Sequence, residues 1–299
     1  MADPGAPAQS GVPVLIETPQ QLRWLTAGWR KADQLVGLVP TMGALHAGHR
    51  ALIAAAEKAC DRVVVSIFVN PLQFGPGVDY PSYPRQLEAD LEQLGQLGVD
   101  ACYDPAVDTL YPKGFATRVM VSSGGDLWEA ASRPGHLVGV ATVVTKLFAA
   151  TGPCRAYFGE KDAQQVAVVS SLAKDLDTGI EVVVCPTVRE PDGLAASSRN
   201  QLLSPAGREA ALSLSRALIK ASETFTSGVV SGPELAQAAA QVIESEPGAR
   251  LDYAAVVDPV DFRPVEVATP KSRVMVAAKV EAVRLIDTAL LGSPPHPSN

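Results

Sequence analysis

Along the first two-thirds of the chain, short apolar runs alternate with segments whose apolar residues recur at helical spacing. Residues 35–40 (LVGLVP), 62–69 (RVVVSIFV), 100–103, 155–158 and 181–185 read as strands, and 62–69, apolar on both faces, has the pattern of a buried parallel strand. Between them, 47–60 carries Leu52, Ile53, Ala56 and Cys60 on one helical face, and 85–97, 136–150 and 163–175 follow the same period. Gly98 ends the second of these helices and Thr151-Gly152-Pro153 the third. This β-α-β-α order predicts an α/β domain: a parallel sheet with helices on both faces, whose ligands sit outside the carboxyl ends of the strands. After about Pro186 the pattern changes. Residues 205–246 predict two Ala-rich helices broken at Ser227-Gly228 and Ser231-Gly232-Pro233, and 251–257, 273–280 and 283–287 predict short strands. The expected organisation is a mobile tail at 1–12, an α/β domain at 13–187, a smaller α+β domain at 188–291 and a mobile tail at 292–299.

Composition narrows the classes. A chain of 299 residues with 47% hydrophobic and 19% charged residues has the material for about two packed domains, which excludes wholesale disorder. A net charge of −7 does not suit a general nucleic-acid binder, although it leaves room for a local basic pocket that takes a small anion. No apolar run reaches the roughly 18–20 residues of a membrane span; 138–150 comes closest and Lys146 interrupts it. The first residues, MADPGAPAQSGVP, show neither a basic nor an apolar leader region. The four cysteines, Cys60, Cys102, Cys154 and Cys185, are dispersed and apolar-flanked, as free thiols of a cytoplasmic protein are.

The candidate chemistry begins where the strand at 35–40 gives way to a helix, in Thr41-Met42-Gly43-Ala44-Leu45-His46-Ala47-Gly48-His49. His46 and His49 are three residues apart and share the first helical turn. The glycines let a ligand approach the backbone, and a helix start offers free N–H groups to a phosphate. Cap or surface histidines are the plain alternative, and zinc lacks a third ligand at suitable spacing. Gln73 follows the strand at 62–69, where an amide both donates and accepts. A second strand-to-helix turn, Gly159-Glu160-Lys161-Asp162, supplies a point charge for phosphate in Lys161 and an acceptor for ribose hydroxyls in Asp162. Ser197, Ser198 and Arg199 put two hydroxyls and a planar guanidinium on one loop. Each of these also has a plain reading, as a loop amide, an exposed helix start and a polar linker.

These blocks together resemble the pantothenate synthetase (pantoate–β-alanine ligase) family of the His-x-Gly-His adenylyl-transferring superfamily, from about Val14 to Asp287. The supporting runs are Ser66–Phe74, Tyr80–Arg85, Arg133-Pro134-Gly135-His136-Leu137-Val138-Gly139-Val140, Tyr157–Gln165 and Val188–Asn200. The resemblance implies a Rossmann-like sheet and a C-terminal domain that serves as a lid. It implies that ATP lies on Thr41 through His49, on Gly159, Glu160, Lys161 and Asp162, and on Val188, Ala196, Ser197, Ser198 and Arg199, with His46, His49, Lys161 and Arg199 catalytic. It assigns pantoate and β-alanine to Met42, Gln73 and Gln165, and places Tyr83, Arg133 and His136 about the same pocket. For magnesium it points to the helix at 85–97, where Asp90 and Gln93 share a face. The other family position there is Ala89, which cannot ligate. Ala130, Leu137, Ala163 and Ala196 are further departures from the family pattern.

The implied reaction forms pantoyl adenylate and pyrophosphate from pantoate and ATP, then pantothenate and AMP from the adenylate and β-alanine, in a cytoplasmic homodimer. Two rivals remain. A nucleotidyltransferase acting on a small phosphate ester would share the His-x-Gly-His turn without needing 70–74 or Gln165. A non-catalytic nucleotide-binding relative would have decayed at the alanine positions.

Overall fold

The computed structural model describes residues 11–75, 80–81, 83–122 and 126–295; the expected tail residues 1–10 and 296–299 lie outside this set, as does Ser82. The described chain divides into two compact units. The first takes the described residues of Met1–Ser122, Arg133–Gly159 and Gln165–Cys185; the second takes those of Ser123–Ser132, Glu160–Gln164 and Pro186–Asn299.

In the first unit six apolar runs form one wholly parallel sheet: β1 (Val14–Ile16), β2 (Val36–Thr41), β3 (Arg62–Ile67), β4 (Ala101–Tyr103), β5 (Cys154–Gly159) and β6 (Ile180–Cys185), in the order β1-β4-β3-β2-β5-β6. The helices are α1 (Pro19–Lys31), α2 (Ala47–Ala59), α3 (Leu87–Gln96), the single turn α4 (Val107–Leu110), α6 (His136–Thr151) and most of α7 (Ala163–Asp175); α5 (Glu129–Ser132) belongs to the second unit. Strand alternation sends neighbours to opposite faces. Leu38, Val64, Ala156 and Phe158 pack with Leu22 and Trp29 of α1, Val144 and Leu147 of α6 and Leu172 of α7. Val39, Val63, Val65 and Tyr157 pack with Leu52 and Ile53 of α2 and Leu94 of α3. Both faces are thus covered, as the near-continuous apolar strands require. Each fully buried leucine among them contributes roughly 1.5–3 kcal/mol.

The strand order places the functional turns. From β2 the chain runs outward through β3 and β4 on one side, and β5 and β6 lie on the other. The carboxyl ends of β2 and β5 therefore flank the switch point, where ligands of open parallel sheets bind. Thr41 closes β2 and Gly159 closes β5.

Among the described residues, β1, α1 and the single-turn helices α4 and α5 escaped the sequence pattern. β1 is three residues long, and α1 is an ordinary amphipathic helix burying Leu22, Leu25, Thr26 and Trp29.

The second unit packs α8 (Pro205–Thr226) and α9 (Gly232–Glu244) with an antiparallel sheet β7 (Ala249–Val257), β8 (Arg273–Val280) and β9 (Val283–Leu290). Ser204 and Ser231 cap the two helices and Pro sits in each first turn, so the break falls where the Ser-Gly pairs placed it. Leu214, Leu218, Leu235, Ile243, Val274, Val276 and Leu285 form its core. Arg189 makes a bidentate pair with Asp287 inside this unit, at 2.7 and 3.0 Å, and both side chains are buried. Among the described residues no helix is long and apolar enough to cross a membrane, and the four cysteines are free. Burial pushes the Cys102 thiol up to about 12.

Candidate active site

The turn leaving β2 is built by its own side chains. Thr41 Oγ1 donates to the Ser66 carbonyl at 2.7 Å and accepts the Gly43 N–H at 3.1 Å. The backbone then takes the left-handed region twice, at Gly43 (φ 78°) and at Ala44 (φ 50°), which is costly for alanine. His46 is the N-cap of α2, and its Nδ1 accepts the Gly48 N–H at 3.1 Å. By that hydrogen bond, a neutral His46 ring carries its proton on Nε2. The His49 ring lies 3.9 Å away, centroid to centroid, one helical turn on. His46, Ala47, Gly48 and His49 thus share the opening turn of α2, where the N-terminal end of the helix favours an anion.

The same turn is held from below by Asp90. Its Oδ2 accepts the Ala44 N–H and its Oδ1 the Leu45 N–H, both at 2.9 Å, and the residue has no exposed surface. This bears on the expected magnesium pair. Magnesium demands near-octahedral oxygen geometry and keeps several waters, with one or two carboxylates turned toward them. Asp90 turns both oxygens into the protein, residue 89 is alanine, and Gln93 alone offers a neutral amide. The pair Asp90 and Gln93 does not fit a magnesium site. Among the described residues, no group of three or more His, Cys, Asp or Glu side chains is placed to hold a metal.

Of the residues expected about the pantoate pocket, Met42, Gln73, Arg133 and His136 meet in a second network of the first unit. Gln73 ends a 3-10 turn, Pro71–Gln73. Its Nε2 donates to the Met42 sulfur at 3.0 Å and its Oε1 accepts from Asn70 Nδ2 at 3.0 Å. Asn70 is itself fixed: Nδ2 also donates to the Gly139 carbonyl at 3.0 Å, and Oδ1 accepts from the Tyr111 hydroxyl at 2.8 Å. The Gln73 carbonyl accepts from His136 Nδ1 at 2.9 Å and Arg133 Nη2 at 3.4 Å. Because a carbonyl only accepts, His136 holds a proton on Nδ1, which leaves Nε2 to accept from Arg133 at 3.4 Å. Gly139 makes this approach possible, since a Cβ there would lie 2.3 Å from the Leu72 carbonyl oxygen. Tyr83 is buried with its ring edge-on to Phe74 at 5.9 Å, one residue past Gln73. Gln165 stands half-buried in the first turn of α7.

In the second unit, Glu160, Lys161 and Asp162 form a 3-10 turn that runs straight into α7. Lys161 Nζ lies 3.5 Å from Asp162, and Arg273 Nη2 donates to Glu160 Oε1 at 2.6 Å. The 188–200 loop folds on itself: the Ala196 N–H donates to the Val188 carbonyl at 2.9 Å, and Asn200 Nδ2 donates to Glu190 at 2.7 Å. Ser197 caps the 3-10 turn Ser198–Leu202 by accepting the Arg199 N–H at 3.3 Å; Ser198 is buried and Arg199 half-buried.

A further cluster carries the segment before Arg133. Glu129 accepts from Arg284 Nη1 and Nη2, at 2.9 and 2.6 Å, and from the Tyr253 hydroxyl at 3.0 Å. The Glu129 N–H donates to Gln164 Oε1 at 2.9 Å, and Gln164 Nε2 donates to the Leu127 carbonyl at 3.1 Å. Burial opposes the Arg284 charge, but Glu129 and Asp252 hold its pKa above the ordinary value. Burial also raises the Tyr253 phenol. None of Tyr111, Tyr253, Arg273 or Arg284 belongs to a chemical motif, and Gln164, although it lies within the Tyr157–Gln165 run, carried no expected role.

The sheet order and the turn after β2 define a Rossmann-like α/β protein with an appended α+β unit. The model of the pantoate-beta-alanine ligase family matches residues 14–290. The chain is 49% identical over 285 residues to the pantothenate synthetase of Rubrobacter xylanophilus, covering 93% of this chain and 98% of that one. Among solved structures, pantothenate synthetase from Thermus thermophilus superposes with a TM-score of 0.87 at 46% identity, over 93% of this chain and 99% of that one. Pantoate-beta-alanine ligase from Francisella tularensis, complexed with beta-gamma ATP and beta-alanine, gives a TM-score of 0.79 at 36% identity, over 96% of this chain and all (100%) of that one. This chain belongs to the pantoate-beta-alanine ligase family.

Proposed function

We propose that this chain joins pantoate to β-alanine at the expense of ATP. The observation that carries the reading is the Thr41–His49 turn at the sheet's switch point, with His46 Nδ1 on the Gly48 N–H and the His49 ring beside it. A carboxylate is a poor acylating agent because its oxygen leaves badly. In the first step a pantoate carboxylate oxygen attacks the α-phosphorus, and the bond to pyrophosphate breaks. In the second the β-alanine nitrogen attacks the acyl carbon, loses a proton, and AMP leaves with the bridging oxygen. No nucleophilic side chain is needed, so the protein's part is positioning and charge stabilisation.

The residues divide this work. His46, through its Nε2 proton, and His49 donate to phosphate oxygens where charge develops. Lys161 and Arg199 supply cations, and Ser197 and Ser198 supply hydroxyls. Thr41 to Leu45, Gly159, Glu160, Asp162, Val188 and Ala196 hold the nucleotide. Met42, Gln73 and Gln165 take pantoate, with Tyr83, Arg133 and His136 bracing that pocket. ATP enters as its magnesium complex, the metal carried by the phosphates. The working form is a cytoplasmic homodimer.

AMP formation from ATP tests the reading. It should require pantoate and β-alanine together. AMP transfer to a phosphate ester without either would favour the nucleotidyltransferase rival, and no turnover with any substrate would favour a non-catalytic relative.

A further inference from the structure

We infer that Asp90 is a positioning residue that sets the His-x-Gly-His turn through the Ala44 and Leu45 N–H groups, and that it is not a ligand of the ATP-borne magnesium. A fully buried carboxylate needs compensation. Asp90 receives it from two charge-assisted bonds at 2.9 Å and from its place in the first turn of α3. Both bonds end on the residues that follow Gly43, so they hold the turn in its left-handed conformation. Ala44 has no glycine's freedom to adopt φ 50°, and the bond to Asp90 offsets that strain. Space is equally committed: a Cβ on Gly43 would lie 3.0 Å from Asp90 Oδ2. The carboxylate therefore fixes where α2 begins, and with it the aim of His46 and His49. The family pattern assigns Asp90 to the metal, on the helix face that it shares with Gln93. The structure gives both Asp90 carboxylate oxygens to the turn instead.

This inference rests on the proposed adenylation and is separable from it. Asp90→Asn keeps the size but replaces one acceptor by an NH2 that confronts an N–H. Its pantoate-dependent pyrophosphate release should fall about 10²-fold in kcat, the scale of a misplaced reacting geometry. The magnesium concentration for half-maximal activity should stay where the parent has it. A metal ligand gives the opposite pattern: the magnesium curve shifts and excess magnesium restores the rate. Should Asp90→Asn fail to fold, the parent protein decides the matter by NMR. The Ala44 and Leu45 amide protons, bonded to a carboxylate, should resonate downfield, exchange slowly and stay unmoved when magnesium chloride is added, with or without a non-hydrolysable ATP analogue present for the metal step. Selective loss of that protection on adding magnesium overturns the inference. A parent enzyme with no pyrophosphate release refutes the proposed function, yet leaves the amide test intact.

Discussion

Arg273, on a strand of the C-terminal sheet, holds Glu160 of the Gly-Glu-Lys-Asp turn by a 2.6 Å charge-assisted bond, and is itself almost wholly buried. Its Nη1 donates to Thr288 Oγ1 at 3.4 Å. The residue lies more than a hundred positions from the turn it fixes and in no recognisable motif. A lysine cannot reproduce this forked geometry. Arg273→Lys should lower kcat/KM for ATP about tenfold or more, the worth of one bond to a charged group. Steady-state kinetics beside a thermal melt would check it; an unchanged ATP dependence would show that the turn needs no such support.

Removing the imidazole of His49 should cost about 10²–10³ in the adenylation rate, the usual loss for one transition-state donor. His46→Ala should lose as much and also the cap of α2, about 1 kcal/mol of stability. Pantoate-dependent pyrophosphate release and circular dichroism separate the two effects. Near-parental rates in His49→Ala would remove it from the chemistry.

Tyr111→Phe should act on pantoate and not on ATP. The variant deletes the 2.8 Å bond to Asn70 Oδ1, and Asn70 in turn orients the Gln73 amide. A several-fold rise in the pantoate KM is expected, in keeping with about 1 kcal/mol for one neutral hydrogen bond. Gln165→Ala should act on the same substrate. Equilibrium titration with an ATP analogue should give parental affinity for both, and a large loss would move the residue concerned to the nucleotide.

Asp287→Ala should be the most damaging single change to stability in the second unit. It strands the Arg189 guanidinium in a buried site, which costs about 3–5 kcal/mol. Urea unfolding would measure this, and a loss under about 1 kcal/mol would mean that water reaches Arg189.

Much of this molecule is legible in its amino-acid order. The long apolar runs fixed β2, β3, β5 and β6, and the Ser-Gly breaks located the ends of α8 and α9, because periodicity and turn chemistry are local. α1 was missed although Thr18 and Gln21 form a capping box, each side chain bonding the other's backbone N–H. That pattern stands in the sequence and could have found the helix. β1 could not be found so, since three residues carry no period and the strand exists only through its pairing with β4. At the candidate site, motifs located His46, His49, Met42 and Gln73 and their neighbours. Their supports were invisible because they arrive from distant segments: Asp90 under Ala44, Tyr111 behind Asn70, Arg284 on Glu129. For Asp90, spacing tells which residues share a helix face but not what lies against it, and against it lie the Ala44 and Leu45 N–H groups.

Transfer of an oxygen atom tests the central claim most directly. Pantoate carrying 18O in both carboxylate oxygens would be turned over with ATP and β-alanine, and the products weighed by mass spectrometry. If the carboxylate attacks the α-phosphorus, AMP carries one 18O, pantothenate keeps the other, and pyrophosphate carries none. Label in pyrophosphate or inorganic phosphate, or AMP without label, would contradict an adenylate route.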